Sequence, residues 1–287
     1  MNIVLVSAGI FQEYILINIR QLLKLNHKSI YILTNECFFD KFQEFPEEII
    51  KLVSIEELND LDIYDYRNKS SLDKDYRNGF WYLTSMRFFY IYAFMNKYQI
   101  IDVIHLENDV PIYYNCDILL DELNKEQFYI PFDCYDRTIA SIVYIPNAMV
   151  LNNILSNYDT NKTDMNNFSH IQKKTGLINN FPIFVSNPSE SDEYQFVTKN
   201  FDNFQYIFDA AAIGQYIGGI DPIHTEKNTI GFVNETCIIK YNNYKIIWKI
   251  EKSPSGDDIK RPFILENNKD IPIFNLHIHC KDLQRYL

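Results

Sequence analysis

The sequence predicts an α/β protein with a mostly parallel central sheet flanked by helices and a smaller β-rich C-terminal part. Three observations carry that expectation. Continuous apolar runs of strand length open the chain and recur in its first half, as in strands buried on both faces of a parallel sheet. Segments with apolar residues at helical spacing lie between them. Strand patterns separated by turn chemistry then fill the C-terminal end.

Residues 3–8 (IVLVSA) read as the first buried strand, stopping at Gly9. From Phe11 to Leu25 the positions Ile15, Ile19, Leu22 and Leu23 mark an amphipathic helix, and 29–34 (SIYILT) is the second strand. The spacing suits a parallel β-α-β crossover. Residues 47–78 are polar with mixed charge and read as short helices and loops. A long helix spans about 79–97, with Trp81, Met86, Phe89, Ala93 and Phe94 inward. Residues 100–106 (IIDVIHL) form a strand running into Glu107-Asn108-Asp109. Strands are expected at 128–132 and 140–145 and a helix at 147–155. Residues 156–200, rich in Asn, Asp, Ser and Lys, read as a mobile insertion near a substrate, broken by a short strand at 182–186. A short helix is expected at 210–216, stopped by Gly218-Gly219. Late strands fall at 243–250 and 271–279, with a turn at 253–258 between them.

The 287 residues fit one large α/β domain or two small ones, at roughly 150 residues per domain. No repeat or linker divides them, so one domain is expected. With 47% apolar and 23% charged residues, disorder is excluded. Only 8 glycines are present, which nearly excludes a glycine-rich phosphate cradle; G-x-G-x-x-G, G-x-S-x-G, H-E-x-x-H and Walker patterns are all absent. The formal charge of −11 leaves no basic face for sequence-independent binding to nucleic acid. Five cysteines without a CxxC pair indicate neither a disulfide framework nor structural zinc. The opening residues lack a signal-peptide pattern and no apolar run is of membrane-spanning length, so the reading is a soluble, cytoplasmic protein. The N-x-S/T sequons at Asn68, Asn161, Asn167 and Asn234 are chance matches in an Asn-rich chain.

The strongest chemical signal is Glu107-Asn108-Asp109. Two carboxylates one residue apart at the end of an apolar strand stand at the edge of the sheet where open α/β proteins bind ligands. Mg²⁺ or Mn²⁺ typically takes one or two such carboxylates together with substrate phosphates. The same pattern also occurs on plain solvated turns. The second signal is His277-Ile278-His279. In a strand both imidazoles share one face, a half-site for a borderline metal, while Leu276 and Ile278 pack on the other. Lys281 follows and adds a cation on the same side.

An N-terminal βαβ unit, a helix carrying Arg87 and a strand ending in an acidic-x-acidic tripeptide together resemble the GT-A-fold, metal-dependent glycosyltransferases. Their tripeptide is usually written DxD; here it reads Glu107-Asn108-Asp109. The likeness extends over most of the chain and is thinnest over 156–200. It implies a GT-A-like domain over 1–287 with a Rossmann-like N-terminal half. Residues 1–115 would bind a nucleotide-diphosphate sugar and 116–287 an acceptor. Asp109 would hold Mn²⁺ or Mg²⁺, with Glu107 contacting the metal site and the donor and His277 or His279 completing the set. The segment from Phe208 to Pro222 looks like the family's acceptor region.

Fold logic adds further candidates. The nucleotide base belongs over the ends of the first two strands, at Ser7, Ala8, Gly9, Thr34, Asn35 and Glu36, which equally suit ordinary turns. Arg87 is placed to reach the diphosphate or to support the acidic loop, and Asn108 joins the donor set. Asp209 is either the general base for the acceptor hydroxyl or a helix cap, and Asp221 is the reserve. The expected activity is transfer of a sugar from a nucleotide-diphosphate donor to a hydroxyl. The alternatives are a sugar nucleotidyltransferase, which would carry a basic glycine-rich loop after the first strand, and an inert nucleotide- or carbohydrate-binding module.

Overall fold

The computed structural model describes residues 1–58, 60–218, 236–254 and 256–287. Its first half alternates strands and helices as expected. β1 (Asn2–Ser7), α1 (Tyr14–Lys24), β2 (Ile30–Thr34) and β3 (Ile50–Ser54) are followed by α2 (Leu61–Lys69), α3 (Phe80–Tyr98) and β4 (Val103–Leu106). Next come β5 (Phe128–Cys134), β6 (Arg137–Thr138), β7 (Ile142–Ile145), α4 (Ala148–Leu155), α5 (Asp164–Thr175) and β8 (Ile178–Phe181). The sheet order is β3-β2-β1-β4-β7-β5-β6, with β8 on β5. The pairs β1–β2, β2–β3, β1–β4 and β5–β8 are parallel, while β7 joins β4 and β5 antiparallel. The class is therefore the expected mixed α/β one.

Burial explains why these segments adopt these states. Ile3, Val4, Leu5, Ile30, Ile32, Leu33, Val103 and Ile104 are completely or almost completely inaccessible, as a sheet covered on both faces requires. In α1 the buried positions include Ile15, Ile19 and Leu22, one stripe at helical period. α3 buries Met86, Phe88, Phe89, Ile91, Phe94 and Met95 because α2, α4 and α5 all pack against it. Trp81, expected inward, is only half-buried.

Further short elements, α6 (Asp192–Val197), α7 (Phe201–Phe204), β9 (Ile207–Phe208) and α8 (Gly214–Ile217), lead to a second sheet. Its strands β10 (Ile246–Lys252), β11 (Asp258–Glu266) and β12 (Lys269–Asn275) run antiparallel in the order β10-β11-β12, and β9 pairs with β12 in parallel. This is the β-rich part expected at the C-terminal end.

Several expectations need correction. β3 lies in the stretch read as helices and loops; Lys51 interrupts its apolar pattern because β3 is an edge strand, where an exposed lysine is tolerated. Residues 156–200 are not a mobile insertion: α5 packs on β6 and β8, and the strand expected at 182–186 is instead β8 at 178–181. The helix expected at 210–216 is confined to α8, since Asp209 draws the preceding backbone into a turn. β11 went unexpected because Lys260, Arg261 and Pro262 argue against a strand; it forms between two partners. The strand expected through His279 ends its ladder at Asn275.

Candidate metal and donor site

β1, β2, β3 and β4 are parallel, so Ser7, Thr34, Ser54 and Leu106 bring their carboxyl ends to one edge. Glu107, Asn108 and Asp109 leave β4 there in a tight turn, with the Val110 N–H donating to the Glu107 carbonyl at 3.0 Å. The turn is held from below by α1, where the buried Asn18 amide donates to the carbonyls of Asn108 (3.3 Å) and Val110 (3.1 Å). The Asn108 side chain points back into the fold, donating to the Val6 carbonyl at 2.9 Å and to Gln12 at 2.8 Å. Glu107 and Asp109 flank this inward anchor.

The histidine arrives from the far end of the chain by backbone pairing. Tyr113 N–H donates to Phe274 O at 2.9 Å, Leu276 N–H to Pro111 O at 3.1 Å and Ile278 N–H to Asp109 O at 3.0 Å. Residues 274–278 thus run along 109–113. Leu276 and Ile278 are fully buried, as expected, and His277 faces the carboxylates. Its Nε2 lies 3.2 Å from Glu107 Oε2 and 3.4 Å from Asp109 Oδ2. One ligand atom from each of Glu107, Asp109 and His277 lies within 4.8 Å of the others. Among the described residues His279 does not join this trio; its ring packs edge-on against that of His277, centroids 4.4 Å apart. The expected His-x-His pair is therefore one candidate ligand and one neighbour.

Two features seat His277. Asp209 is buried, and its carboxylate accepts the N–H groups of Ala212 (2.8 Å), Ile213 (2.9 Å), Gly214 (2.8 Å) and His277 (2.9 Å). Both oxygens are engaged by backbone N–H groups of the turn that leads into α8 and of the tail, while the N-cap position of α8 itself is Ile213. Gly214 lets the tail approach: a Cβ there would fall within 2.6 Å of the His277 N, C and O atoms.

The charges are arranged in opposition. Lys281 pairs with Asp109 through its ammonium group, and Arg87 pairs with both Glu107 Oε1 (2.5 Å) and Asp164 Oδ2 (2.7 Å). Burial would raise the Asp109 carboxyl, but Lys281 and His277 outweigh it and hold it well below the usual carboxylate range. Burial also works against a charged His277, yet the Asp109 and Glu107 carboxylates prevail and raise it. His105, two residues before Glu107 on β4, is a core residue: burial and Arg87 push it down to about 3, and its Nδ1 lies 3.0 Å from the Val4 carbonyl.

The nucleotide-base candidates gather on the adjoining edge. Thr34 Oγ1 donates to the Ser7 carbonyl at 2.7 Å, and Gly9 N–H to Asn35 Oδ1 at 2.8 Å. Asn35 in turn donates to Glu56 at 2.6 Å, and Ser54 Oγ lies 2.9 Å from both Glu36 and Glu56. Gly9 has φ +80°, a left-handed turn that glycine enters freely. Ala8 lies beside this network, half-buried. Asp221 and the end of the expected acceptor segment, residues 219–222, lie outside the described residues. Sequence reasoning missed Asp164, Asn18, Ser54, Glu56 and the part played by Gly214. For Asn18, a polar residue on the apolar stripe of α1 was the available signal.

Two carboxylates and an imidazole at the carboxyl edge of a parallel sheet constitute a candidate divalent-cation site. The donor set fits such an ion: Glu107 Oε2 is buried and, apart from its 3.2 Å approach to His277 Nε2, has no partner, and carboxylate oxygen with imidazole nitrogen suits a divalent metal. Similar solved structures include mouse xyloside xylosyltransferase 1, with TM-score 0.46 and 11% identity over 69% of this chain and 93% of that one. The galactosyltransferase LgtC, solved with donor and acceptor sugar analogues, gives 0.41 and 12% over 63% and 73%. A cytidylyltransferase from Leptospira borgpetersenii gives 0.40 and 13% over 70% and 82%. No family model and no curated protein sequence matches significantly. At these scores the likenesses carry no weight for activity.

Proposed function

We propose that this chain is a glycosyltransferase that moves a sugar from a nucleotide-diphosphate donor to an acceptor hydroxyl, dependent on Mn²⁺ or Mg²⁺. The observation that supports this reading is the convergence of Glu107, Asp109 and His277 at the ligand-binding edge of the sheet. When bound, the ion would offset charge on the diphosphate and on the departing nucleotide. Asp109 and His277 would hold it, with Glu107 Oε2 as the third donor.

The remaining roles belong to the chain itself. Lys281, poised on Asp109, supplies a local cation for the diphosphate in a chain of net charge −11. The edge formed by Ser7, Ala8, Gly9, Thr34, Asn35 and Glu36 takes the nucleoside. Asp209 positions His277 and the turn at 212–214 rather than moving a proton, because its oxygens are occupied by backbone N–H groups. Residues 1–115 would carry most donor contacts and 116–287 the acceptor, with the ion site drawing on both.

Calorimetry with UDP and GDP, with and without Mn²⁺, tests the reading. Nucleotide affinity that requires Mn²⁺, joined by slow Mn²⁺-dependent hydrolysis of a nucleotide sugar, is the expected result. Nucleotide binding indifferent to Mn²⁺ would favour an inert module. Release of pyrophosphate from a nucleoside triphosphate and a sugar phosphate would favour a nucleotidyltransferase.

A further inference from the structure

Arg87 poses an electrostatic problem for a cation site. Its guanidinium is buried 2.5 Å from Glu107 Oε1, so a positive charge sits directly behind a residue whose other oxygen faces the proposed ion. Left alone it would cancel the Glu107 charge and repel a divalent cation across a poorly screened interior. Asp164, at the start of α5, lies against the other arm of the guanidinium at 2.7 Å, and its side chain is only 3% exposed. It is itself held firmly: its N–H donates to Ser85 Oγ on α3 at 3.1 Å, and its Oδ1 accepts the Met165 N–H at 3.0 Å.

We infer that Asp164 is a positioning residue for the cation site: it neutralises Arg87, so that Arg87 pins Glu107 Oε1 without quenching the charge Glu107 presents through Oε2. With Asp164 ionised and His277 neutral, as ligation requires, the three carboxylates outweigh Arg87 and Lys281 by one negative charge; without the Asp164 charge the sum is zero. A residue more than fifty positions from the acidic tripeptide, in the stretch that read as a mobile insertion, thereby sets its affinity. The inference rests on the cation site of the preceding subsection.

The probe is Mn²⁺ alone, titrated into the full chain and followed by calorimetry and by the electron paramagnetic resonance of free Mn²⁺. Asp164→Asn keeps the shape and removes the charge; Mn²⁺ affinity is expected to fall at least about tenfold, from Coulomb coupling of a unit charge to a divalent ion at partial screening. The double variant Arg87→Met/Asp164→Asn removes both charges and is expected to recover affinity to within about threefold of wild type, since replacing a buried ion pair by uncharged groups is often tolerated. A purely structural role would lower the melting temperature of Asp164→Asn and leave its Mn²⁺ affinity unchanged, which overturns the inference. If Asp164→Asn does not fold, the double variant decides: a tenfold or greater loss of affinity also overturns it. Should the wild-type chain bind no Mn²⁺, the cation site itself falls; should it bind Mn²⁺ with these variants indifferent to charge, only the role of Asp164 falls.

Discussion

Gly214→Ala adds one methyl group at the point where α8 meets the tail that carries His277. On helix propensity alone the change would stabilise the protein, by up to about 1 kcal/mol in a helix interior. Gly214 is outside the left-handed region, so no backbone strain opposes it. The obstacle is contact: the new Cβ would stand within 2.6 Å of three backbone atoms of His277, and backbone cannot swing aside as a side-chain tip does. Overpacking of this kind typically costs about 1–3 kcal/mol, which reverses the sign. At about 2–4 °C per kcal/mol, the melting temperature should drop by several degrees. The displacement falls on the imidazole donor, so Mn²⁺ affinity should fall about 10–100-fold, the usual loss when the support of a metal ligand is disturbed. Gly176→Ala is the control: its φ of +68° makes alanine strained, but nothing lies within 4 Å, so it should lose about 1–2 kcal/mol of stability and keep wild-type Mn²⁺ affinity. Calorimetry and thermal melts on both variants are the assay. A Gly214→Ala protein as stable as wild type and with unchanged Mn²⁺ affinity would refute the packing argument.

Other expectations are equally direct. Asp109→Asn should abolish Mn²⁺-dependent nucleotide binding and donor turnover while far-ultraviolet circular dichroism stays native, because the residue leaves the sheet rather than forming its core. Lys281→Gln removes a cation that now sits on Asp109; Mn²⁺ alone should bind more tightly, and nucleotide diphosphate more weakly in the presence of Mn²⁺, as read by titration calorimetry. Stability should fall in mild acid. Burial lowers His27 from 6.5 to about 4 and His105 to about 3, so below pH 6.5 the unfolded chain takes up protons that the native one refuses. That contribution is intact above pH 6.5 and is lost as pH drops toward 4 and 3, amounting to about 1.3 kcal/mol per histidine between pH 7 and pH 5.5. Urea melts across that range should show a shallower slope in His27→Gln.

The first half was legible because its strands are buried on both faces: runs such as Ile3-Val4-Leu5 admit few readings, and the acidic tripeptide follows such a run. Edge strands hide their nature, as Lys51 in β3 shows, and Arg261-Pro262 concealed β11, whose partners supply what its composition does not. The site was readable where a residue type announces its chemistry, as with Glu107, Asp109 and His277. It was opaque where a role depends on what a side chain meets. Asp164 looks like any polar residue until Arg87 is seen against it, and Asp209 reads as a base or a cap until four backbone N–H groups are found converging on its oxygens. His279 illustrates the limit of period-two reasoning, since the strand that would have aligned it with His277 gives out at Asn275.

The stitching of residues 274–278 onto 109–113 also bears on when the site comes into being. Glu107 and Asp109 are separated from His277 by more than half the chain, and closing so long a loop is among the slower and later steps of assembly. Partly folded chains with an undocked tail would have the two acids but no imidazole, and hence little hold on Mn²⁺. At the proposed site, capture of the ion would report completed folding, and saturating Mn²⁺ at a hundred times its dissociation constant would deepen the native well by about 2.7 kcal/mol.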